Sequence, residues 1–374
     1  MHPLDYKGCI FNALREVECM NVVEQYNLTL QIEVLKEQSA ETLARLCKLV
    51  DGSGNSDCVE ALKAYSHMVN TELYLATSIH ELDILKLDMV KLENTIKELL
   101  TQASHDISDI KAVKEIGDVQ AIESYSSEDF DKALERTIDL LTFNKNVSST
   151  PHAVILGGQS GAGKTTIHRV KMMEYKGDYI VIDGDTYRAQ HPHFRELQEK
   201  YGVDSVDYTK AFAGQMVEAV IDKLSSLKYN LIIEGTLRSA AVPINTATLL
   251  KSKGYTVDFC LIATKPELSY LTTQLRYLEM MIVDPLQARA TPKEHHDGIV
   301  KSLVANITEI EQSGVFETIQ VYKRDLEQVY NSKSCTESVG TVVEQILFGA
   351  WTQDEAALLA VSKSQEDELR AKLP

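Results

Sequence analysis

Gly157-Gly158-Gln159-Ser160-Gly161-Ala162-Gly163-Lys164-Thr165-Thr166 follows an apolar run at residues 153–156 of this 374-residue chain. The stretch satisfies the pattern G-x-x-x-x-G-K-[ST], which is typical of a nucleotide phosphate-binding loop. A strand, a glycine-rich loop and a helix start in this order direct backbone N–H groups and the helix dipole at one anion. We expect residues 158–166 to contact the nucleotide, with Lys164 on the β- and γ-phosphates and Thr165 on Mg²⁺. We also expect Lys164 to be an exposed loop residue that contributes little to stability.

Alternating strands and helices are predicted after residue 150. Helical stretches separate five short apolar runs, at 153–156, 179–182, 231–233, 257–262 and 319–322. This alternation predicts an α/β fold in which a parallel sheet carries helices on both faces. Ligands of such sheets bind beyond the carboxyl ends of the strands, so polar residues at those ends are candidate site residues.

Acidic residues stand at two of the predicted strand ends. The second run ends in Asp183-Gly184-Asp185, and the third ends in Glu234-Gly235-Thr236-Leu237-Arg238. A carboxylate beside a phosphate loop can activate an attacking hydroxyl or bind Mg²⁺ through water, and an arginine can offset charge that develops during phosphate transfer. A turn or a helix N-cap is the alternative reading of the aspartates.

Other polar residues carry weaker signals. By sequence alone, Arg276 and Arg289 are typical of solvated or helix-pairing arginines. Glu218 lies away from the apolar stripe of its helix, where most glutamates contact water. The histidines at 191, 193, 295 and 296 do not have the spacing of a metal site, so we expect no metal other than nucleotide-bound Mg²⁺.

The first 120 residues have a helical pattern. Leu82, Leu85, Met89, Leu92, Ile96 and Leu99 form an apolar seam with steps of three and four residues. Residues 28–34 alternate as in a strand, but the longer window to residue 50 fits one face of a helix better. Residues 101–127 are polar and weakly periodic, which predicts a linker or a frayed helix.

The composition restricts the possible partners. The net charge is −17, which argues against general nucleic-acid binding, while the 44% hydrophobic content is sufficient for a core.

The six cysteines lack C-x-x-C spacing, so we expect them to be reduced residues that pack in the interior. No apolar run approaches the roughly 20 residues that span a bilayer, and residues 1–10 are unlike a signal peptide. These features predict a cytoplasmic protein without membrane contact.

Four motifs in the same order resemble the zeta-toxin family, and within it the PezT branch. They are residues 157–166, Ile182-Asp183-Gly184-Asp185-Thr186-Tyr187 with Gln190-His191-Pro192, Ile233-Glu234-Gly235-Thr236, and Ala288-Arg289-Ala290-Thr291-Pro292-Lys293-Glu294-His295-His296-Asp297. The resemblance covers about residues 125–356. It implies a kinase that transfers the γ-phosphate of ATP to the 3′-hydroxyl of UDP-N-acetylglucosamine, a precursor of the cell wall.

The resemblance also implies roles for individual residues. Lys164 and Thr165 match the nucleotide and Mg²⁺ positions, and Asp185 matches the base that activates the sugar hydroxyl. Arg276 and Arg289 match the arginines that stabilise the transferring phosphate. The positions that hold the UDP-sugar are matched by Glu218, Glu234, Thr236, Arg238 and Thr246.

A second, shorter resemblance lies in the helical half. Glu24-Gln25-Tyr26-Asn27-Leu28-Thr29-Leu30-Gln31-Ile32-Glu33 and the helices after it look like the toxin-binding part of the PezA antitoxin. The DNA-binding motif that precedes this part in the family is missing, so we expect no binding of nucleic acid. We therefore expect an antitoxin-like inhibitory domain with its linker at residues 1–120 and a P-loop kinase domain at 121–374.

The reading from sequence leaves alternatives open. The chain can be another small-molecule phosphotransferase, because kinases with different acceptors share the phosphate machinery. It can also be an inert interaction module in which the helical half permanently covers the nucleotide site. We expect the antitoxin-like helices to inhibit the kinase in cis.

Overall fold

A computed structural model of the protein describes residues 22–51, 53–106, 122–285 and 288–373. Residues 1–21, which include Cys9 and Cys19, and most of the predicted linker at 101–127 lie outside the described residues. The α-helices of the described part, numbered α1 to α14, are Val22–Val50, Ser56–His67, Leu73–Leu75, Ile79–Asp106, Ser127–Thr142, Lys164–Glu174, Gly184–Tyr187, Phe194–Tyr201, Ser205–Ser226, Ala241–Ser252, Pro266–Val283, Lys293–Ser313, Val339–Phe348 and Gln353–Lys372. A π-helical turn, Met68–Glu72, lies between α2 and α3, and 3₁₀ turns at Arg188–Gln190 and Gly202–Asp204 flank α8.

Six strands form one sheet in the order β2-β3-β1-β4-β5-β6. In chain order the strands are His152–Gly157, Ile180–Ile182, Leu231–Glu234, Thr256–Ile262, Ile319–Tyr322 and Gln328–Asn331. The first five are parallel, and β6 pairs antiparallel with β5. The five predicted strands are confirmed, and β6 is an addition to the predicted sheet.

Burial explains the apolar runs. Residues Ala153 to Leu156 of β1 are each at most 4% exposed although they point alternately to opposite faces. Both faces of the sheet are therefore covered, as expected for a parallel sheet. The connections that follow β1 and β4 run to opposite edges of the sheet, so the topological switch point lies between these two strands.

The described residues divide into two compact units. The first contains residues 22–34, 146–183, 224–285 and 288–373, and with them the whole sheet. The second contains residues 35–51, 53–106, 122–145 and 184–223 and has no strand among these residues. The predicted division into an antitoxin-like helical domain at residues 1–120 and a kinase domain at 121–374 stays a prediction.

The helical predictions for the N-terminal half are confirmed over residues 22–51 and 53–106. Residues 28–50 are helical within α1, and α4 turns its apolar seam inward. Along the seam, Leu82, Met89 and Ile96 are each at most 3% exposed, and α4 packs against α2. In the second unit this seam therefore has its partner helix.

No helix in the described ranges is long and apolar enough to cross a membrane. Of the cysteines that the structure describes, Cys47, Cys58 and Cys260 are buried and Cys335 is half-buried, all as free thiols. Burial raises the pKa of the Cys47 and Cys260 thiols to about 12. These thiols therefore stay protonated at neutral pH and pack as small apolar groups.

Candidate functional site

The phosphate loop connects β1 to α6 and is pressed against its neighbours. Gly158, Gly161 and Gly163 have φ values of 150°, 72° and 103°. A Cβ on Gly161 would lie 2.0 Å from the carbonyl oxygen of Ser269 at the start of α11. The loop can therefore follow this path only with glycine at that position.

Three side-chain contacts attach the loop to the ends of β4 and β5. The Gln159 side-chain amide donates a hydrogen bond to the carbonyl oxygen of Thr264. The Thr264 hydroxyl in turn donates to the carbonyl oxygen of Ala162 at 2.9 Å. Arg324 Nη1 donates to the carbonyl oxygen of Gly161 at 2.7 Å. With these carbonyl groups held by the protein, the loop has a defined shape before any ligand binds.

Lys164 is buried, at 9% exposure, and the expectation of an exposed loop lysine is wrong. Its Nζ donates to the carbonyl oxygen of Gly158 at 3.2 Å and lies 3.6 Å from Glu234 Oε1 at the end of β3. The physical reason is the tight curl of the loop, which folds back over the lysine side chain. Lys164 is therefore part of the packed structure, and its removal is expected to lower stability.

Glu234 lies between two basic side chains. Its Oε2 is 3.2 Å from Nε2 of His168, which is fully buried on α6, while its Oε1 faces Lys164. The sheet brings Lys164 and Glu234 together because β1 and β3 are adjacent, with Leu156 in register with Glu234.

The two threonines of the loop are buried where α6 starts, at 5% exposure for Thr165 and 4% for Thr166. Thr166 Oγ1 lies 3.2 Å from Oγ1 of Thr29, which belongs to α1. The first helix thus reaches the start of the phosphate-loop helix.

A cavity beside β3, called here the β3 cavity, has a volume of about 320 Å³. Four of the predicted substrate residues line it: Glu234, Thr236, Arg238 and Thr246. Apolar side chains that include Phe259, Val242 and Pro243 form other parts of its wall. The cavity therefore joins apolar surface with a few polar groups, as small-molecule sites do.

Arg238 is held at the cavity by His295. Arg238 Nη2 lies 2.7 Å from His295 Nε2. Burial, together with the positive charge of Arg238, lowers the pKa of His295. The imidazole is therefore neutral at pH 7 and can accept a hydrogen bond from the guanidinium.

Leu237 has a left-handed backbone between the two cavity residues Thr236 and Arg238. Its φ is 53° although its side chain is 4% exposed, and its carbonyl oxygen accepts from Asn306 Nδ2 at 2.9 Å. A left-handed conformation costs a branched residue about 1–2 kcal/mol. Burial of the Leu237 side chain and the hydrogen bond from Asn306 hold this strained turn in place. The turn lies between two residues that line the same cavity.

The two predicted phosphate-stabilising arginines lie on and after α11. Arg276 Nη1 is 3.9 Å from Glu33 Oε2 of α1, and Arg289 is half-buried just before α12. Arg276 thus faces a carboxylate that the first helix supplies.

Asp185 and Glu218 belong to the second unit. Asp185 is exposed in α7 and accepts a hydrogen bond from Arg188 Nε at 3.0 Å. Glu218 is exposed on α9, away from the buried stripe that contains Phe212 and Met216. Within the described residues, no cluster of three or more histidine, cysteine or acidic side chains could hold a metal.

Residues 22–34 of α1 are part of the sheet unit and pack on α11. Tyr26 and Leu30 form one apolar cluster with Leu268, Leu275 and Leu358. A second cluster joins Val34 to Met280 and Ala288, and the ring of Tyr26 lies 4.5 Å from the Arg324 guanidinium.

Sequence reasoning missed Thr264, His168 and Arg324. Thr264 and Arg324 each stand two residues beyond a predicted strand, so the strand-end rule that selected Asp185 and Glu234 would have found them. His168 had no such signal, because its partner Glu234 is 66 positions later in the sequence and only the fold brings them together.

Comparisons with known proteins agree with this architecture. The zeta toxin family model matches residues 138–334, and the bacterial epsilon antitoxin model matches residues 24–99. Toxin PezT of Streptococcus pneumoniae serotype 4 is 55% identical over 251 residues, which cover 67% of this chain and 99% of that protein. Toxin zeta of Streptococcus agalactiae is 40% identical over 211 residues, or 56% of this chain and 74% of that toxin.

A solved structure from the PezAT chromosomal toxin-antitoxin system of Streptococcus pneumoniae superposes with a TM-score of 0.63 and 53% identity. The match covers 67% of this chain and all of that one. The P-loop α/β fold, the order of the motifs and these matches lead to one assignment. The chain belongs to the zeta toxin family, and it carries an antitoxin-like segment at residues 24–99 ahead of the toxin part.

Proposed function

We propose that this protein transfers the γ-phosphate of ATP to the 3′-hydroxyl of UDP-N-acetylglucosamine, and that its own antitoxin-like helix inhibits the reaction. The observation that carries the proposal is the arrangement of the phosphate loop, the Glu234 carboxylate and the β3 cavity at the carboxyl ends of adjacent strands. Such a product would no longer serve as a cell-wall precursor. Both substrates are cytoplasmic metabolites, so the protein would act in the cytoplasm.

The phosphate loop binds the donor in this proposal. Its glycines leave no room for side chains, so backbone N–H groups can approach phosphate oxygens directly. Lys164 would turn its ammonium group from the Gly158 carbonyl toward the β- and γ-phosphates. Mg²⁺, bound by the Thr165 hydroxyl and the phosphates, would supply positive charge that offsets the charge of the transferring group.

The β3 cavity receives the acceptor. Its volume of about 320 Å³ suits part of a nucleotide sugar, and its polar groups are of the right kinds. The Arg238 guanidinium can bind a diphosphate, while Thr236, Thr246 and Glu234 can bind hydroxyl and amide groups. Glu218 completes the proposed substrate set on the basis of sequence resemblance.

Asp185 would act as the general base that takes the proton of the 3′-hydroxyl. Its exposed carboxylate is available for proton transfer, and Arg188 orients it. Arg276 and Arg289 would stabilise the charge on the transferring phosphate. These roles follow from the positions of the residues in the family motifs.

Inhibition in cis follows from the contacts of α1 within the sheet unit. Thr29 occupies the space next to Thr166, and Glu33 places a carboxylate 3.9 Å from the guanidinium proposed to bind phosphate. A nucleotide in the phosphate loop would compete with both contacts. Because α1 is covalently attached, its effective concentration can reach about millimolar, so a weak interface would suffice to keep the site closed.

The acceptor is tested by product analysis. Purified full-length Leu30→Asp, which detaches α1 from α11, is incubated with ATP and either UDP-N-acetylglucosamine, UDP-glucose or UDP-galactose. We expect a new 3′-phosphate, assigned by NMR, on UDP-N-acetylglucosamine at the highest rate. Transfer to a different class of acceptor would support another small-molecule phosphotransferase instead. No ATP turnover with any acceptor would support an inert interaction module.

A further inference from the structure

Two adjacent histidines, His295 and His296, lie in the first turn of α12, and the proposed reaction uses neither of them. Successive side chains of an α-helix point about 100° apart, so the two rings face different surroundings. His295 is exposed and contacts Arg238, which lines the β3 cavity. His296 is fully buried and contacts Ser269 of α11, beside the phosphate loop. The dipeptide thus contacts one residue at each of the two proposed substrate sites.

The imidazole of His296 has a partner at each ring nitrogen. Its Nε2 lies 2.8 Å from the hydroxyl oxygen of Ser269, and its Nδ1 lies 3.2 Å from Asp297 Oδ1. Burial lowers the pKa of His296, so the ring is neutral at pH 7 and carries one proton. Because the Asp297 carboxylate can only accept, that proton lies on Nδ1, and Nε2 accepts from the Ser269 hydroxyl.

Ser269 contacts the phosphate loop at two points. Its carbonyl oxygen would lie 2.0 Å from a Cβ on Gly161, so the loop backbone is pressed against the first turn of α11. Its hydroxyl oxygen lies 3.4 Å from Nε2 of Gln159, a fully buried loop residue. Since the hydroxyl hydrogen is directed at His296, the lone pairs of the oxygen are left to accept from Gln159.

The Ser269 hydroxyl has a second acceptor within reach. The carbonyl oxygen of Pro266 lies 3.1 Å from Ser269 Oγ. With an apolar side chain at position 296, the hydroxyl would donate to this carbonyl group, and its lone pairs would turn away from Gln159. The contact between Ser269 and the loop therefore depends on a hydrogen-bond acceptor at position 296.

His295 has the corresponding effect on the acceptor side. Arg238 Nη2 lies 2.7 Å from His295 Nε2, and among the described residues no other side chain forms a hydrogen bond with Arg238. Fixing a free arginine side chain on binding costs conformational entropy. A guanidinium that is already held in place binds a diphosphate at a smaller entropic cost.

We infer that His295 and His296 form a positioning pair, in which His295 directs Arg238 at the acceptor and His296 directs Ser269 at the donor loop. The inference rests on the proposed function, because it assigns ATP to the loop and the UDP-sugar to the β3 cavity. Neither histidine contacts a reacting atom in this arrangement, so each acts only through its neighbour. One dipeptide thus orients side chains at both substrate sites.

The test measures the affinities for ATP and for UDP-N-acetylglucosamine separately, by calorimetry, in the full chain carrying Leu30→Asp, called here the parent protein. We expect His295→Leu to weaken binding of the UDP-sugar by about fivefold and binding of ATP by less than about twofold. His296→Leu should do the reverse, because leucine fills the buried space but cannot accept from Ser269. His80→Leu is the matched control at an exposed position of α4 and should change neither affinity.

Conservative variants separate positioning from general support of the fold. Glutamine keeps an acceptor oxygen near the position of Nε2, so His295→Gln and His296→Gln should stay within about twofold of the parent protein for both ligands. Ser269→Ala changes little volume and removes the link between His296 and Gln159. It should weaken ATP binding by about fivefold as well, which keeps the test decisive where His296→Leu does not fold.

Where the parent protein binds both ligands, the inference is overturned by unchanged or equally weakened affinities in either leucine variant. Glutamine variants that bind as poorly as the leucine variants, or normal ATP binding by Ser269→Ala, would overturn it as well. Binding of neither ligand by the parent protein would instead contradict the proposed function, and the inference would fall with it.

Discussion

The hydroxyl of Thr29 lies 3.2 Å from the hydroxyl of Thr166, although the two residues are 137 positions apart in the chain. Both side chains are about 4% exposed, so the contact is shielded from water. Thr166 is the last residue of the glycine-rich motif. The antitoxin-like helix therefore contacts the glycine-rich motif where α6 begins.

Lys164→Ala should abolish phosphate transfer and also lower the free energy of unfolding by about 1–2 kcal/mol. The stability loss follows because Glu234 would lose one of its two basic neighbours in a largely buried place. Urea denaturation and the transfer assay, both in the Leu30→Asp background, measure the two effects. Lys301→Ala, which changes an exposed lysine on α12, should alter neither. A wild-type rate of turnover in Lys164→Ala would contradict the assignment of residues 157–166 as a phosphate-binding loop.

Asp185→Asn should lower turnover by roughly 100-fold or more while the affinities for ATP and the UDP-sugar stay nearly unchanged. The amide oxygen can still accept the hydrogen bond from Arg188, so the local structure should persist. Steady-state kinetics and calorimetry separate rate from binding.

Asp207→Asn is the control for Asp185→Asn. Asp207 is likewise exposed and pairs with a basic residue three positions later, Lys210, at 2.9 Å. The Asp207→Asn variant should therefore leave turnover unchanged. A large loss of ATP affinity in Asp185→Asn with normal turnover would indicate a metal-binding role instead of a base.

Gly161→Ala should prevent nucleotide binding and destabilise the sheet unit. The added Cβ would lie 2.0 Å from the Ser269 carbonyl oxygen, and the loop would have to move to avoid it. Gly54→Ala is matched in backbone strain, with φ 61° against 72°, but its Cβ would meet no atom within 4 Å. Gly54→Ala should therefore cost only about 1 kcal/mol and preserve binding. Similar melting temperatures for the two variants would contradict the close packing of the loop.

Stability of the second unit should fall as the pH is lowered from 7 toward 4. Burial, with the nearby His193 and Lys48, lowers the pKa of His191 to about 4, whereas an unfolded chain has a histidine pKa near 6.5. Between these values the unfolded chain binds a proton that the folded chain does not, so acid favours unfolding.

His191→Gln should reduce the difference in unfolding free energy between pH 7 and pH 5 by about 2 kcal/mol. Urea denaturation at the two pH values measures it. His80→Gln, at an exposed position, should retain the wild-type difference. An unchanged difference in His191→Gln would show that His191 is protonated without cost in the folded protein.

The strands of the toxin part were predictable because each is a continuous apolar run between polar segments. β6 was not, since Gln328-Val329-Tyr330-Asn331 is short and polar, and only Tyr330 of the four is buried. It forms by antiparallel pairing with β5 at the edge of the sheet. A strand of this kind depends on its neighbour more than on its own sequence.

The alternating pattern at residues 28–34 has a tertiary origin. A helix with one buried face would bury residues three and four apart, but Leu28, Leu30, Ile32 and Val34 are all at most 8% exposed. This part of α1 is packed on several sides, with Leu30 and Val34 in separate clusters. Because several faces of this helix segment are buried, its apolar residues do not recur at steps of three and four in the sequence.

The site was predictable where its residues are local in sequence. The phosphate loop forms from one decapeptide, and Thr236 and Arg238 lie two residues apart in one turn. The burial of Lys164 and the Tyr26–Arg324 stack depend on residues that only the fold brings together. Such contacts leave no pattern in a single sequence.

Inhibition by α1 is measured as the initial rate of phosphate transfer from ATP to UDP-N-acetylglucosamine by three full-length proteins. Leu30 is buried against α11, whereas Leu49 of the same helix is 49% exposed. We predict that Leu30→Asp forms the 3′-phosphate about 100-fold faster than the wild type, because the tethered helix no longer holds the site closed. Leu49→Asp should match the wild type. Equal rates for the wild type and Leu30→Asp, at equal folded concentration, would contradict inhibition by α1.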